Sequence, residues 1–148
     1  MNMIYWFCGQ PAAGKTTLAK ALIEKLGTKH VHIDGDNLRH ILQNNDYTRE
    51  GRERNIQSVL DIARFMDNKG YDVIISVVAP YNEHRRSLKA SNQVVEVYVH
   101  TSEIRGREKF FVADFEIPTE DYIDIDTTHE SVENCIIKIL KNKSNGMG

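Results

Sequence analysis

The chain is poor in the residues that staple or stiffen a small fold: 148 residues hold 2 cysteines, 3 prolines and 1 tryptophan. Cys8 sits in an apolar run and Cys135 in a helical pattern, far apart in sequence, so each reads as a small buried hydrophobe. A disulfide framework is thereby excluded, and a reducing, cytoplasmic setting is expected. No apolar run approaches the roughly 18 residues of a membrane span, and Met1 to Cys8 lack both the charged start and the length of a signal peptide. An excess of charge of one sign is missing too. Lys and Arg number 19 against 21 Asp and Glu, a net charge of −2, so there is no global basic field of the kind that holds a protein on nucleic acid. What remains, 41% apolar and 27% charged residues, is the mixture of one globular domain, able to bury roughly 68–70% of its unfolded surface. The expected organisation is a single domain over residues 1–141 and a flexible tail over 142–148, where apolar periodicity is lost.

Short runs rich in Val, Ile and Tyr, at Ile4–Cys8, Val31–Ile33, Val73–Val78, Val94–Val99 and Tyr122–Ile125, read as strands separated by segments of helical spacing. Strand and helix in alternation imply a parallel sheet, here of about five strands between helical layers. Val73–Val78 is apolar at nearly every position and is expected in the middle of the sheet. Ile56, Val59, Leu60, Ala63 and Met66 recur every three or four residues, predicting an amphipathic helix from about Arg52 to Lys69 that Gly70 ends. Thr127 and Glu130 have capping-box spacing and are expected to open a last helix carrying Val132, Ile136, Ile137, Ile139 and Leu140.

The strongest pattern is Gly9-Gln10-Pro11-Ala12-Ala13-Gly14-Lys15-Thr16, a G-x-x-x-x-G-K-[ST] phosphate loop between a strand and a helix. The helix from Lys15 to about Leu26 keeps Leu18, Ala21, Leu22 and Leu26 on one face, so its N-terminus aims backbone N–H groups and positive dipole at a polyphosphate. Lys15 is expected on the β- and γ-phosphates and Thr16 on Mg²⁺ through its hydroxyl, with Thr17 completing the ATP-binding set.

The chain lacks the Asn-Lys-x-Asp of a GTPase: Asn68-Lys69-Gly70-Tyr71 has no aspartate. Nor does Val73–Val78 run into the acid that a large motor or pump ATPase places there; Ala79-Pro80 follows. Acid comes instead from Asp34-Gly35-Asp36 at the end of the second strand, on the carboxyl edge where open α/β sheets bind ligands. One carboxylate can take a proton from an acceptor hydroxyl and the other can support Mg²⁺; the sequence does not rank Asp34 and Asp36, and a bare turn before a helix capped by Asp36 would look the same. Arg39, one helical turn on, can hold an anion bidentately.

Asp34-Gly35-Asp36-Asn37-Leu38-Arg39-His40, then Arg52-Glu53-Arg54-Asn55-Ile56, then Pro80-Tyr81 followed by Arg85, resemble the adenylylsulfate (APS) kinases over about Ile4 to Leu140. The resemblance implies a P-loop kinase that passes the γ-phosphate of ATP to the 3′-hydroxyl of adenosine 5′-phosphosulfate. It implies ATP·Mg²⁺ on Lys15 and Thr16, Asp34 or Asp36 as base, and Arg39, Arg52 and Asn55 on the acceptor's anionic end and ribose. Pro80 and Tyr81 belong to the acceptor motif, and Tyr47 stands where the family has a Phe near the acceptor base. A homodimer is implied on the same ground. Another nucleotide or small alcohol as acceptor, or a nucleotide-binding module without catalysis, are the competing readings.

Departures from the family pattern accompany the matches. Gly51-Arg52-Glu53-Arg54-Asn55-Ile56 loses two carboxylates and gains a cation, from which a more cationic acceptor pocket is expected. Ala79-Pro80-Tyr81-Asn82 lacks the family's serine and arginine. The lid is short: Arg105, Arg107 and Lys109 hinge at Gly106 and lead into Phe110-Phe111. Folded over the phosphate loop, an Arg there can neutralise the moving phosphoryl group and exclude water. Phe111 is either the second face of a clamp on the acceptor base or, with Phe110, a small hydrophobic anchor for the loop.

Overall fold

The computed structural model describes residues 2–143. Strands β1 (Ile4–Cys8), β2 (His30–Asp34), β3 (Asp72–Ser76), β4 (Val94–His100) and β5 (Tyr122–Asp126) alternate with helices. The helices are α1 (Lys15–Leu26), α2 (Gly35–Leu42), α3 (Arg49–Asn68), α4 (Asn82–Ser91) and α5 (Val132–Asn142). All strand pairs are parallel, in the order β2-β3-β1-β4-β5, so the class read from the sequence is the one observed.

Side-chain alternation on the strands explains the three layers. In β1, Tyr5 and Phe7 join a core under α1 and α5 with Leu18, Leu22, Val97 and Ile139. Ile4, Trp6 and Cys8 face the other way, into a core with Val59, Leu60 and Ala63 of α3 and Leu88 of α4. Both cysteines are buried and free. Neither face could be polar without stranding one of these helices.

Four expectations are corrected. The run at Val73–Val78 is interior but not central: β1 holds the middle, between β3 and β4. Both strands are buried throughout, so apolarity marks an interior strand and does not order the interior strands among themselves. Pairing of β3 stops at Ser76, freeing Val77 and Val78 for the carboxyl edge. The cap of α2 is Asp34, whose side chain accepts from the Asn37 N–H, rather than Asp36. The cap of α5 is Ser131, accepting from Asn134 N–H, because Thr127 and Thr128 are engaged with the phosphate loop and with Thr101 and Ser102. α5 runs through Asn142, and the remaining tail, 144–148, lies outside the described residues.

Candidate functional site

The phosphate loop joins β1 to α1 across the carboxyl edge. Gly9 has φ 149°, and a Cβ there would overlap the Val99 carbonyl oxygen, so β4 itself demands glycine. Gly14 takes φ 113° at the N-cap of α1 and supplies no side-chain cap, which leaves the first N–H groups of the helix for an anion. Pro11, Ala12, Gly14, Lys15, Thr16 and Thr17 line a cavity of about 440 Å³, closed below by Asp34, Asp36 and Ser76 and flanked by Arg105 and Arg107. Gly9, Gln10 and Ala13, the other residues of the loop, are not part of its lining. Lys15 is buried and its Nζ donates to the Gln10 carbonyl at 2.7 Å. Burial lowers its pKa from 10.5 to about 8.

The two acids of the second strand separate here. Asp34 Oδ1 accepts from Thr16 Oγ1 at 3.0 Å and Ser76 Oγ at 3.3 Å, and its other oxygen caps α2. His32 Nε2 lies 2.7 Å from Ser76 Oγ, a support that sequence reasoning missed because it spans two strands. Asp36 is exposed and has no hydrogen-bond or ion-pair partner among the described residues. It lines both the phosphate cavity and a second one of about 420 Å³.

That second cavity is walled by Arg39, Tyr47, Arg52 and Asn55 from one side and by Lys109, Phe110 and Phe111 from the other, with Pro80 at its back. The Arg39 guanidinium stacks over Tyr47 at 4.2 Å and ties down the loop through the Asn44 and Asp46 carbonyls. Asn55 is buried, and its Oδ1 has no partner among the described residues. Tyr47, Phe110 and Phe111 are 62%, 54% and 42% exposed. They stand at a rim, Tyr47 with one face covered by Arg39 and Phe110 beside Arg107 and Lys109, each 5.1 Å from its ring centre; the buried anchor of the loop is the next residue after Phe111, Val112.

Tyr81 does not line either cavity. It is fully buried, reaching the wall only through its hydroxyl, which accepts from Arg52 Nη1 at 3.5 Å. The expected extra cation also lies elsewhere. Arg54 turns outward to Asp46 at 2.9 Å and Glu50 at 3.4 Å, so the pocket is not made more cationic by that departure. Gly51 has the same cause: a Cβ there would run into Asp46 backbone and side chain. Arg85 is buried in the brace behind the pocket, bonded to Glu96 at 2.8 Å.

The three cations expected in a lid divide. Arg105 Nη1 donates to the Ala12 and Ala13 carbonyls at 3.0 and 3.1 Å, gripping the loop from outside. Arg107 lines both cavities beside Asp36 and makes no ion pair among the described residues. Lys109 lines only the second.

Comparison with known proteins follows the same motifs. The profile of the family described as Adenylylsulphate kinase matches residues 1–109. An adenylyl-sulfate kinase of Oceanobacillus iheyensis is 32% identical over 170 aligned positions, covering 96% of this chain and 85% of the relative. That of Staphylococcus carnosus is 30% identical, with 95% and 83% covered. The 170 aligned positions exceed the 148 residues of the chain, so the relative carries segments with no counterpart here. The structure of the Mycobacterium tuberculosis APS kinase in complex with AMPPNP and APS has TM-score 0.80 at 21% identity, covering 95% and 96% of the two chains. A gluconokinase from Sinorhizobium meliloti gives 0.68 at 16%, covering 99% and 93%. At those identities both are likenesses of fold. With its profile matched over most of its length and its phosphate loop built as a phosphotransferase needs, the chain is a kinase and belongs to the adenylylsulphate kinase family.

Proposed function

We propose that this protein transfers the γ-phosphate of ATP to the 3′-hydroxyl of adenosine 5′-phosphosulfate, giving 3′-phosphoadenylylsulfate and ADP. One observation carries the reading: a phosphate cavity and an aromatic, cation-lined cavity share a seam at Asp36 and Arg107. A donor in the first and an adenosine acceptor in the second bring the two reacting groups to that seam. Tyr47 and Phe111 offer faces for an adenine ring, and Arg39, Arg52 and Lys109 offer charge for the phosphosulfate. The unpaired Asn55 Oδ1 suits a hydroxyl donor such as the ribose.

In the reaction the acceptor O–H bond breaks as its oxygen bonds to the γ-phosphorus, and the bridging bond to the β-phosphate opens. Asp36 receives the proton, since it alone of the two acids is free. Lys15 leaves the Gln10 carbonyl for the phosphate oxygens. Arg107 faces the equatorial charge of the moving group. Thr16, Asp34 and Ser76 present only oxygen donors, the set that Mg²⁺ takes. Thr16 would ligate the ion directly and Asp34 through water; bound there, Mg²⁺ neutralises phosphate charge.

The test is ADP release in the presence of APS, gluconate or no acceptor. APS should raise the rate well above the other two. An APS rate equal to the acceptor-free rate would overturn the assignment, and a preference for gluconate would move the protein to a sister substrate.

A further inference from the structure

The connection between β4 and β5 touches the phosphate loop at two separate points. At one foot, Arg105 grips the Ala12 and Ala13 carbonyls, and its Nη2 donates to the Thr127 carbonyl at 3.0 Å. At the other, the Gln10 side chain pairs with the main chain of Val112: Gln10 Nε2 donates to the Val112 carbonyl at 2.9 Å, and Val112 N–H donates to Gln10 Oε1 at 2.9 Å. The primary amide thus treats residue 112 as a neighbouring strand would, donating and accepting at once. Arg107, Lys109, Phe110 and Phe111 span the interval between the feet and face the cavities. A short lid held at both ends is an arch, with little freedom to swing.

From this we infer that Gln10 is a positioning residue for the acceptor: its side chain holds Phe110, Phe111 and Lys109 at the rim of the second cavity, while its main chain touches Lys15 in the first. The inference rests on the reading that the second cavity takes the acceptor. The chemistry restricts the position. Glutamate can accept from Val112 N–H but cannot donate to the Val112 carbonyl, and would set a carboxylate against that oxygen. Leucine keeps the bulk and does neither. Alanine leaves the Val112 N–H without a partner and its carbonyl with the Phe115 N–H alone, at 3.3 Å, at a residue whose side chain is 6% exposed.

Two measurements on Gln10→Leu, Gln10→Ala and Gln10→Glu test this: hydrogen exchange at the Val112 amide, which needs no substrate, and steady-state kinetics with ATP and APS. Exchange at Val112 should quicken about tenfold in the Leu and Ala variants, with the Glu variant between them and the parent. The acceptor KM should rise about tenfold, by more than kcat falls and by more than the KM for ATP moves. Unaltered exchange at Val112 would overturn the clasp. Faster exchange with an acceptor KM within twofold of the parent, or a loss confined to kcat, would overturn the positioning role. If the parent protein itself does not use APS, the proposed function fails, and the exchange result alone then decides the clasp.

Discussion

Asp34 and Asp36 carry the same charge two residues apart, and the fold gives them opposite surroundings. Asp34 is spent on Thr16, Ser76 and the cap of α2, whereas Asp36 stands free at the seam. Asp36→Asn should therefore lower kcat by about 10²- to 10⁴-fold with ATP binding retained. Asp34→Asn should weaken binding of Mg²⁺·ATP first. Calorimetric titration of nucleotide beside single-turnover rates separates the two; a kcat loss confined to Asp34→Asn would reverse the roles. The pair was visible in the sequence and its division was not, because Ser76 comes from a strand 42 residues away. Lys15 makes a second prediction. Free Lys15 loses its proton near pH 8, whereas a bound triphosphate favours the ammonium and raises that pKa. Affinity for ATP should be flat below about pH 8 and fall above it, with proton uptake on binding between pH 8 and 9. Calorimetry in buffers of different ionisation enthalpy reads that uptake directly, and binding without proton uptake would show that Lys15 is already charged.

At the level of elements, legibility followed how each element buries its apolar side. α1 and α3 carry apolar residues at helical spacing and could be read directly, while α4 could not. Its ten residues bury only Leu88 and Arg85, so no hydrophobic period exists to detect. Caps failed for a related reason. A capping box shows which hydroxyls can cap, but Thr127 and Thr128 are drawn into contacts with residues as remote as Ala13 and Thr101. Gly51, read as a loss of acid from the acceptor motif, is a packing requirement of the turn before α3. Asp46 folds over it, bonded to Thr48 and Arg54, and three hydrogen bonds hold its carboxyl at a pKa of about 2. Gly→Ala inside a helix ordinarily stabilises by about 1 kcal/mol. Here the sign should invert, because the new Cβ meets Asp46 backbone. Gly51→Ala is expected to cost about 1–3 kcal/mol, a fall in Tm of roughly 2–12 °C by calorimetry; a rise would mean that the turn yields freely.

Across the whole molecule, a parallel sheet could be foreseen because strand and helix alternate, and the site's location because ligands gather at a carboxyl edge. The arch and the two-cavity seam could not, since they depend on contacts about 100 residues apart in sequence. The same is true of the brace behind the wall of the second cavity. Arg85, 1% exposed, donates to Glu96 on β4 and to the carbonyls of Ala79 and Glu116; Lys89 meets the other Glu96 oxygen at 2.8 Å and the Asp121 carbonyl at 2.9 Å. One guanidinium thus joins α4, the sheet, the cavity wall and the segment that follows the arch. Removing it leaves Glu96 buried with a single cation and strips two carbonyls of their donor. Losing one partner of a buried pair typically costs about 3–5 kcal/mol, so Arg85→Met should lower Tm by roughly 6–20 °C. Part of that loss is the stranded carboxylate rather than the missing bond, which a second substitution exposes. In Arg85→Met with Glu96→Leu, Lys89 retains its carbonyl contacts, and the double variant should be more stable than additivity of the single losses by at least about 1 kcal/mol in urea denaturation. Strict additivity would mean that the two charges are not energetically coupled and that the brace works through its carbonyl contacts alone.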